Sequence, residues 1–253
     1  MSPQHQTDSH VDDAYGYRAR IGYTSPPLLT EVFPFEFYKV APPGVTLIVT
    51  TLSVLELTGG ELQQSADISL AAAKQMARAG ANVVVLGGGP VNRTAGGDPE
   101  GVEKLLAEMQ EECGVPIRAS LTAQMHALRA VGARRVAGVQ PFVDAEVSSY
   151  NLLEHYGFEP VAIKNAGYPA IDLGRVPLCV PMQLARDVVR EHPGVDTVYF
   201  PCPHWAVMQG IEQLEHELGV NVVTSGQAIF WEAFRACGIA EPIHGFGKLL
   251  REC

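Results

Sequence analysis

"GVPIRASLTAQMHALRAVG", residues Gly114–Gly132, recurs as "GVNVVTSGQAIFWEAFRACG", residues Gly219–Gly238, with one residue inserted in the second copy. Each copy reads as a short apolar strand that runs into an amphipathic helix and stops at a glycine. A further strand ending in glycine or cysteine precedes each copy: "VVVLGGG" from Val83 and "TVYFPCP" from Thr197. Two copies of one strand–helix unit predict two pseudo-symmetric lobes. The tips near Gly88 and Cys202 then face each other across a cleft, because open α/β sheets bind ligands at the carboxyl ends of their strands.

The same alternation extends along the chain. Strands are predicted in "RIGYTSPP" from Arg20, "TLIVTTL" from Thr46, "RRVAGVQPF" from Arg134 and "EPVAIKN" from Glu159. Helical spacing marks Gly60 to Ala79, "AEVSSYNLLEHYG" from Ala145, "PMQLARDVVREHPG" from Pro181 and "WAVMQGIEQLEHELG" from Trp205. In "DPEGVEKLLAEMQEECG", Asp98 fits an N-cap, Pro99 the first helical position and Gly114 the stop. The predicted fold is α/β, two parallel-sheet lobes covered by helices with a cleft between them. The expected division is a loose tail over 1–19, a first lobe of 20–132 plus 227–253, and a second lobe of 133–226.

The 253 residues are 47% hydrophobic with a formal net charge of -10. That length suffices for a sizeable core. Without a Lys/Arg cluster, nucleic acid and anionic membrane surfaces are excluded as partners. No apolar run has membrane-spanning length, and the polar start lacks a signal-like apolar core. Five cysteines without C-x-x-C spacing predict reduced thiols in a cytoplasm. No zinc spacing, Rossmann fingerprint or P-loop is present, so neither metal nor cofactor is expected.

Cys202 sits between Pro201 and Pro203, after an apolar strand and before a helical pattern. It reads either as a packing cysteine or as a helix N-cap, where free N–H groups favour a thiolate and lower its pKa. In the second reading Pro203 takes the first helical position. His204, two residues on, could assist proton transfer or face solvent. The turn "LGGGPVNRTAGG" could offer Gly88 and Gly89 amides to an anion, helped by Asn92 and Arg93, or be simply a tight turn. Ser225 fits an N-cap better than an anion donor. The "SPP" turn with Pro26 could line a pocket wall, and Trp205 and Trp231 fit core or pocket-wall positions.

Taken together, "IGYTSPP", "AGANVVVLGGGPVNRTAG", "TAQMHALRAVGARRVAGVQPFVDAEV", "YFPCPHWAVMQGIEQLEHELGVNVVTSGQAIFWEAFRACG" and "GFGKLL" resemble the arylmalonate decarboxylase and maleate isomerase family, in the aspartate/glutamate racemase superfamily. The resemblance implies two α/β lobes with the active site in the cleft. Racemases and maleate isomerases of this kind carry one cysteine per lobe. Gly88 paired with Cys202 corresponds to the decarboxylase arrangement, in which one cysteine protonates an enediolate left by loss of CO₂. Four positions depart from that pattern. Gly89 and Pro90 stand where hydroxyl residues follow the glycine, Phe142 stands at a carboxylate-binding tyrosine, and Pro203 replaces a glycine whose N–H donates. Each such donor is worth about 3 kcal/mol. Backbone N–H of Gly88 or Gly89, Asn92, Gln140 and His204 are the candidate replacements. The leading expectation is a cofactor-independent lyase acting on a small, malonate-type carboxylate. The alternatives are a maleate-isomerase-like or racemase-like enzyme and a catalytically silent small-molecule binder.

Overall fold

A computed structural model describes residues 15–27, 30–54, 58–142 and 149–253. Among these residues eight strands form two all-parallel sheets of four. The first contains β1 (Ala19–Pro27), β2 (Val45–Val54), β3 (Val83–Leu86) and β4 (Ile117–Ala119), in the order β2-β1-β3-β4. The second contains β5 (Arg135–Gln140), β6 (Glu159–Asn165), β7 (Thr197–Phe200) and β8 (Asn221–Thr224), in the order β6-β5-β7-β8. The two orders are the same permutation, which is the pseudo-symmetry foreshadowed by the repeat. All four residues of β3 and of β7 are buried, as continuous apolar strands covered on both faces require.

Nine α-helices complete the described chain: α1 (Val32–Val40), α2 (Gly59–Arg78), α3 (Gly89–Gly96), α4 (Pro99–Cys113), α5 (Ser120–Val131), α6 (Cys179–Glu191), α7 (Ile211–Leu218), α8 (Ser225–Ala236) and α9 (Lys248–Glu252). Helix α4 begins and ends where its capping residues predict. Asp98 accepts the Gly101 N–H at 2.7 Å, and Gly114 is left-handed at φ 68°. Helix α8 leaves β8 of the second sheet but packs on α5, β3 and β4. One apolar cluster joins the halves, with Tyr23 and Val85 of the first sheet, Val139, Val198 and Phe200 of the second, and Phe33, Phe37, Phe230 and Phe234 of α1 and α8.

Several expectations are corrected. No helix starts at Pro203 or Trp205: residues 203–205 form a turn and bend, a 3-10 turn spans Met208–Gly210, and α7 begins only at Ile211. Cys202 is therefore not an N-cap and Pro203 is not a first helical residue. A residue before proline is pushed to extended backbone, and Pro203 imposes this on Cys202. The helix predicted over 145–157 is, among described residues, a 3-10 turn at Ser149–Leu152; residues 143–148 lie outside them. Thr224, not Ser225, caps α8, in a reciprocal capping box with Gln227. Helix α1 was not predicted, because "VFPFEFYKV" is apolar almost throughout and lacks a helical stripe. Of the expected loose tail, residues 1–14 lie outside the described ones. Arg18 is fastened to Glu241 by two bonds of 2.7 Å, and Ala19 opens β1.

Candidate active site

In both sheets the strand order reverses beside the first strand, between β1 and β3 and between β5 and β7. Ligands bind outside the carboxyl ends of strands at such switch points. The site residues expected from sequence lie at or just beyond the carboxyl ends of strands that flank these points, or of the adjoining β8. Pro26 lies at the end of β1, Gly88, Gly89 and Asn92 follow β3, Gln140 and Phe142 close β5, and Cys202, Pro203 and His204 follow β7. Ser225 follows β8.

Cys202 is buried, only 5% exposed. Its Sγ accepts the backbone N–H groups of His204 and Trp205, which lie past the proline that has no N–H to give. These two bonds favour the thiolate, yet burial outweighs them and pushes the thiol up to about 12, with the Glu36 carboxylate adding to the rise. The expected acidic, accessible thiol is thus corrected to a buried thiol held protonated. The donors foreseen at a helix N-terminus exist, but a tight turn supplies them. His204 is buried too, which pushes its ring down to about 3 and keeps the imidazole neutral.

Around Cys202 several buried polar atoms have no partner among the described residues: both ring nitrogens of His204, Trp205 Nε1, Ser225 Oγ and the Tyr23 hydroxyl. Such a cluster is rare in a protein interior and marks places where a polar ligand would complete the bonding. Burial raises the Tyr23 phenol, and Cys202 adds electrostatically to the rise. Tyr23 also reaches the opposite tip: a Cβ on Gly87 would fall 2.9 Å from its ring. Tyr23 stacks on Phe33 at 3.7 Å, and Phe33 meets Phe230 at 4.8 Å and His204 at 6.3 Å. The wall beside the thiol is therefore aromatic. Phe142 and Pro203 are half-buried, Phe142 against the same core, and Gln140 and Pro26 are buried.

The glycine tip is built differently from the expectation. Asn92 does not face a ligand. Its Nδ2 donates to the carbonyls of Leu86 and Gly87, and its Oδ1 accepts from Ser120 Oγ at 3.1 Å and Leu121 N at 3.3 Å. It pins the turn to α5 and has no donor left over. Gly88 caps α3 at φ 76°, a conformation that glycine adopts at little cost, and a Cβ there would overlap Pro26 Cγ. A Cβ on Gly89 would come 2.5 Å from Ser149 Oγ. A hydroxyl from the second half of the chain thus stands beside a position that lacks one.

Sequence reasoning missed Glu36, Tyr23, Phe33 and Ser149. Only Glu36 left a signal, as a lone carboxylate in an apolar helix.

A family model described as arylmalonate decarboxylase matches residues 21–250. A curated arylmalonate decarboxylase of Bordetella bronchiseptica is 30% identical over 151 residues, 58% of this chain and 63% of that protein, so the match spans under two thirds of the relative's length. A solved arylmalonate decarboxylase superposes with a TM-score of 0.77 at 25% identity, over 91% of this chain and 98% of that one. A Nocardia farcinica maleate cis-trans isomerase, a cysteine-to-serine mutant with a covalently bound succinylcysteine intermediate, superposes with a TM-score of 0.80 at 23% identity, over 93% of this chain and 99% of that one. The last likeness is one of fold. Since the family model covers nearly the whole chain, the chain belongs to the arylmalonate decarboxylase family.

Proposed function

We propose that the protein is a cofactor-independent decarboxylase of malonate-type acids and that Cys202 delivers the proton. The observation that carries the reading is the state of the thiol: buried, protonated, and facing two backbone N–H groups that stabilise the thiolate it becomes. The bond from the α-carbon to one carboxylate breaks, CO₂ leaves, and the bonding pair becomes part of an enediolate. The S–H bond then breaks and its proton goes to the α-carbon. Water returns a proton to the thiolate, so one dicarboxylate and one proton give one monocarboxylate and CO₂. An enediolate carbon is a far stronger base than a thiolate, so the donor needs no lowered pKa.

Ser225 Oγ and the Tyr23 hydroxyl are the donors proposed for the enediolate oxygens, with the Gly89 amide on the glycine side. His204, neutral in the fold, takes part as a hydrogen-bonding ring rather than a cationic acid. Pro26, Gly88, Gln140, Phe142 and Pro203 complete the proposed enclosure, and the aromatic wall of Phe33 and Phe230 suits an aryl substituent. Isomerase-type chemistry by thiolate addition is less compatible with a thiol held protonated, and Gly88 supplies no second thiol.

Turnover of an aryl-substituted malonate in deuterated water tests the proposal. One deuteron at the α-carbon with loss of one CO₂, abolished in Cys202→Ala, is expected. Full turnover by Cys202→Ala refutes Cys202 as donor. Isomerisation of maleate without decarboxylation favours the second reading, and binding of carboxylates without turnover the silent binder.

A further inference from the structure

Glu36 lies in α1, 2% exposed, in a helix whose other buried residues are Val32, Phe33, Phe37 and Val40. A buried carboxylate without a salt-bridge partner is costly and calls for an explanation. Its Oε1 accepts Val207 N–H at 3.0 Å and Met208 N–H at 2.9 Å, more than 170 positions along the chain. Those amides end the turn that begins at Cys202. Amides at the start of the same turn, His204 and Trp205, point at Sγ. Four of the five amides over residues 204–208 are taken up in this way. The other oxygen, Oε2, would lie 3.5 Å from a Cβ on Gly226, in the first turn of α8 directly after Ser225.

We infer that Glu36 is a positioning residue: from the first half of the molecule it holds the Cys202 turn of the second half in place beside the start of α8. The inference rests on the reading of Cys202 as proton donor. Three elements meet at this one carboxylate, and two of them carry groups assigned to the reaction. Lys39 of α1, the Val207 and Met208 amides, the Cys202 thiol and the neutral His204 are the charged or polar groups around it. Burial pushes Glu36 up to about 7 against the pull of both amides and Lys39, so it is ionised above neutrality and then opposes ionisation of Cys202.

The test compares Glu36→Ala and Glu36→Gln by amide exchange at Val207 and Met208, by peptide-resolved alkylation of Cys202 between pH 8 and 11, and by kcat and KM on an aryl-substituted malonate. Glu36→Ala is expected to release both amides, raise the alkylation rate of Cys202 across this pH range, and lower kcat about 10²-fold with a smaller change in KM, as misplacement of a reacting group does. Glu36→Gln keeps an oxygen for both N–H groups. It is expected to retain amide protection and recover most of kcat, while Cys202 alkylation at a given pH between 8 and 11 becomes faster because the negative charge is gone. Glu36→Ala with parental exchange and alkylation overturns the inference, as does lost protection without a fall in kcat. If Glu36→Ala does not fold, an unchanged rate of Cys202 alkylation in Glu36→Gln across pH 8 to 11 overturns it. Undiminished turnover by Cys202→Ala refutes the donor reading but leaves the exchange and alkylation outcomes to be judged separately.

Discussion

Ser120 and Ser225 hold equivalent positions, each the first residue of the helix that leaves the last strand of its sheet. Ser120 Oγ donates to Asn92 Oδ1 at 3.1 Å, whereas Ser225 Oγ is buried without a partner among the described residues. The asymmetry separates a finished half from one left open. A buried hydroxyl without a partner costs about 1–3 kcal/mol. Ser225→Ala is expected to raise thermal stability by about 1 kcal/mol or more and to lower kcat about 10²-fold, as loss of an oxyanion donor does. Paired melting curves and steady-state rates check both. A variant less stable and fully active would make Ser225 a structural residue.

Alkylation order follows burial. Cys179 is exposed, Cys113, Cys237 and Cys253 are partly exposed, and Cys202 is buried with its thiol pushed up to about 12. Iodoacetamide at pH 7 is expected to label Cys179 first and Cys202 last, read peptide by peptide, reversing the order that an acidic, accessible Cys202 would give. Cys202→Ala is expected to keep the fold and lose about 10²–10⁴-fold in turnover.

A second thiol cannot be accommodated simply at the glycine tip. Gly88→Cys places a side chain at φ 76° and onto Pro26 Cγ. A loss of about 1–3 kcal/mol is expected by urea denaturation. Pro26→Ala in the same chain should relieve the overlap but not the backbone strain. Gly88→Cys at parental stability would show that the turn relaxes.

Two buried groups act on stability with opposite signs. His204, pushed from 6.5 down to about 3, contributes stability that is complete above pH 6.5 and is lost as pH falls toward 3. Glu36, raised from 4.5 to about 7, contributes stability that is complete below pH 4.5 and is lost as pH rises through 7. Each slope is on the order of 1.4 kcal/mol per pH unit, so the two cancel between pH 4.5 and 6.5. Relative to the parent, His204→Phe should lose stability as pH rises across this window, and Glu36→Gln should gain it. Urea titrations at pH 4.5 and 6.5 decide; parallel curves for all three proteins would contradict the assignment.

The repeat, the alternation of strand and helix, the Asp98 cap and the place of Cys202 at the end of β7 were all legible in the sequence. They depend on residues a few positions apart: periodicity sets which face is buried, and caps satisfy nearby amides. Only the tertiary structure decided that Asn92 is spent on Leu86, Gly87, Ser120 and Leu121, that Ser225 is orphaned, and that the Cys202 thiol is raised rather than lowered. It also decided that a carboxylate in α1 clamps the Cys202 turn. Those outcomes turn on desolvation and on hydrogen-bond partners brought together from distant positions. Local sequence leaves such terms open, because burial and pairing exist only once both sheets have closed on one core.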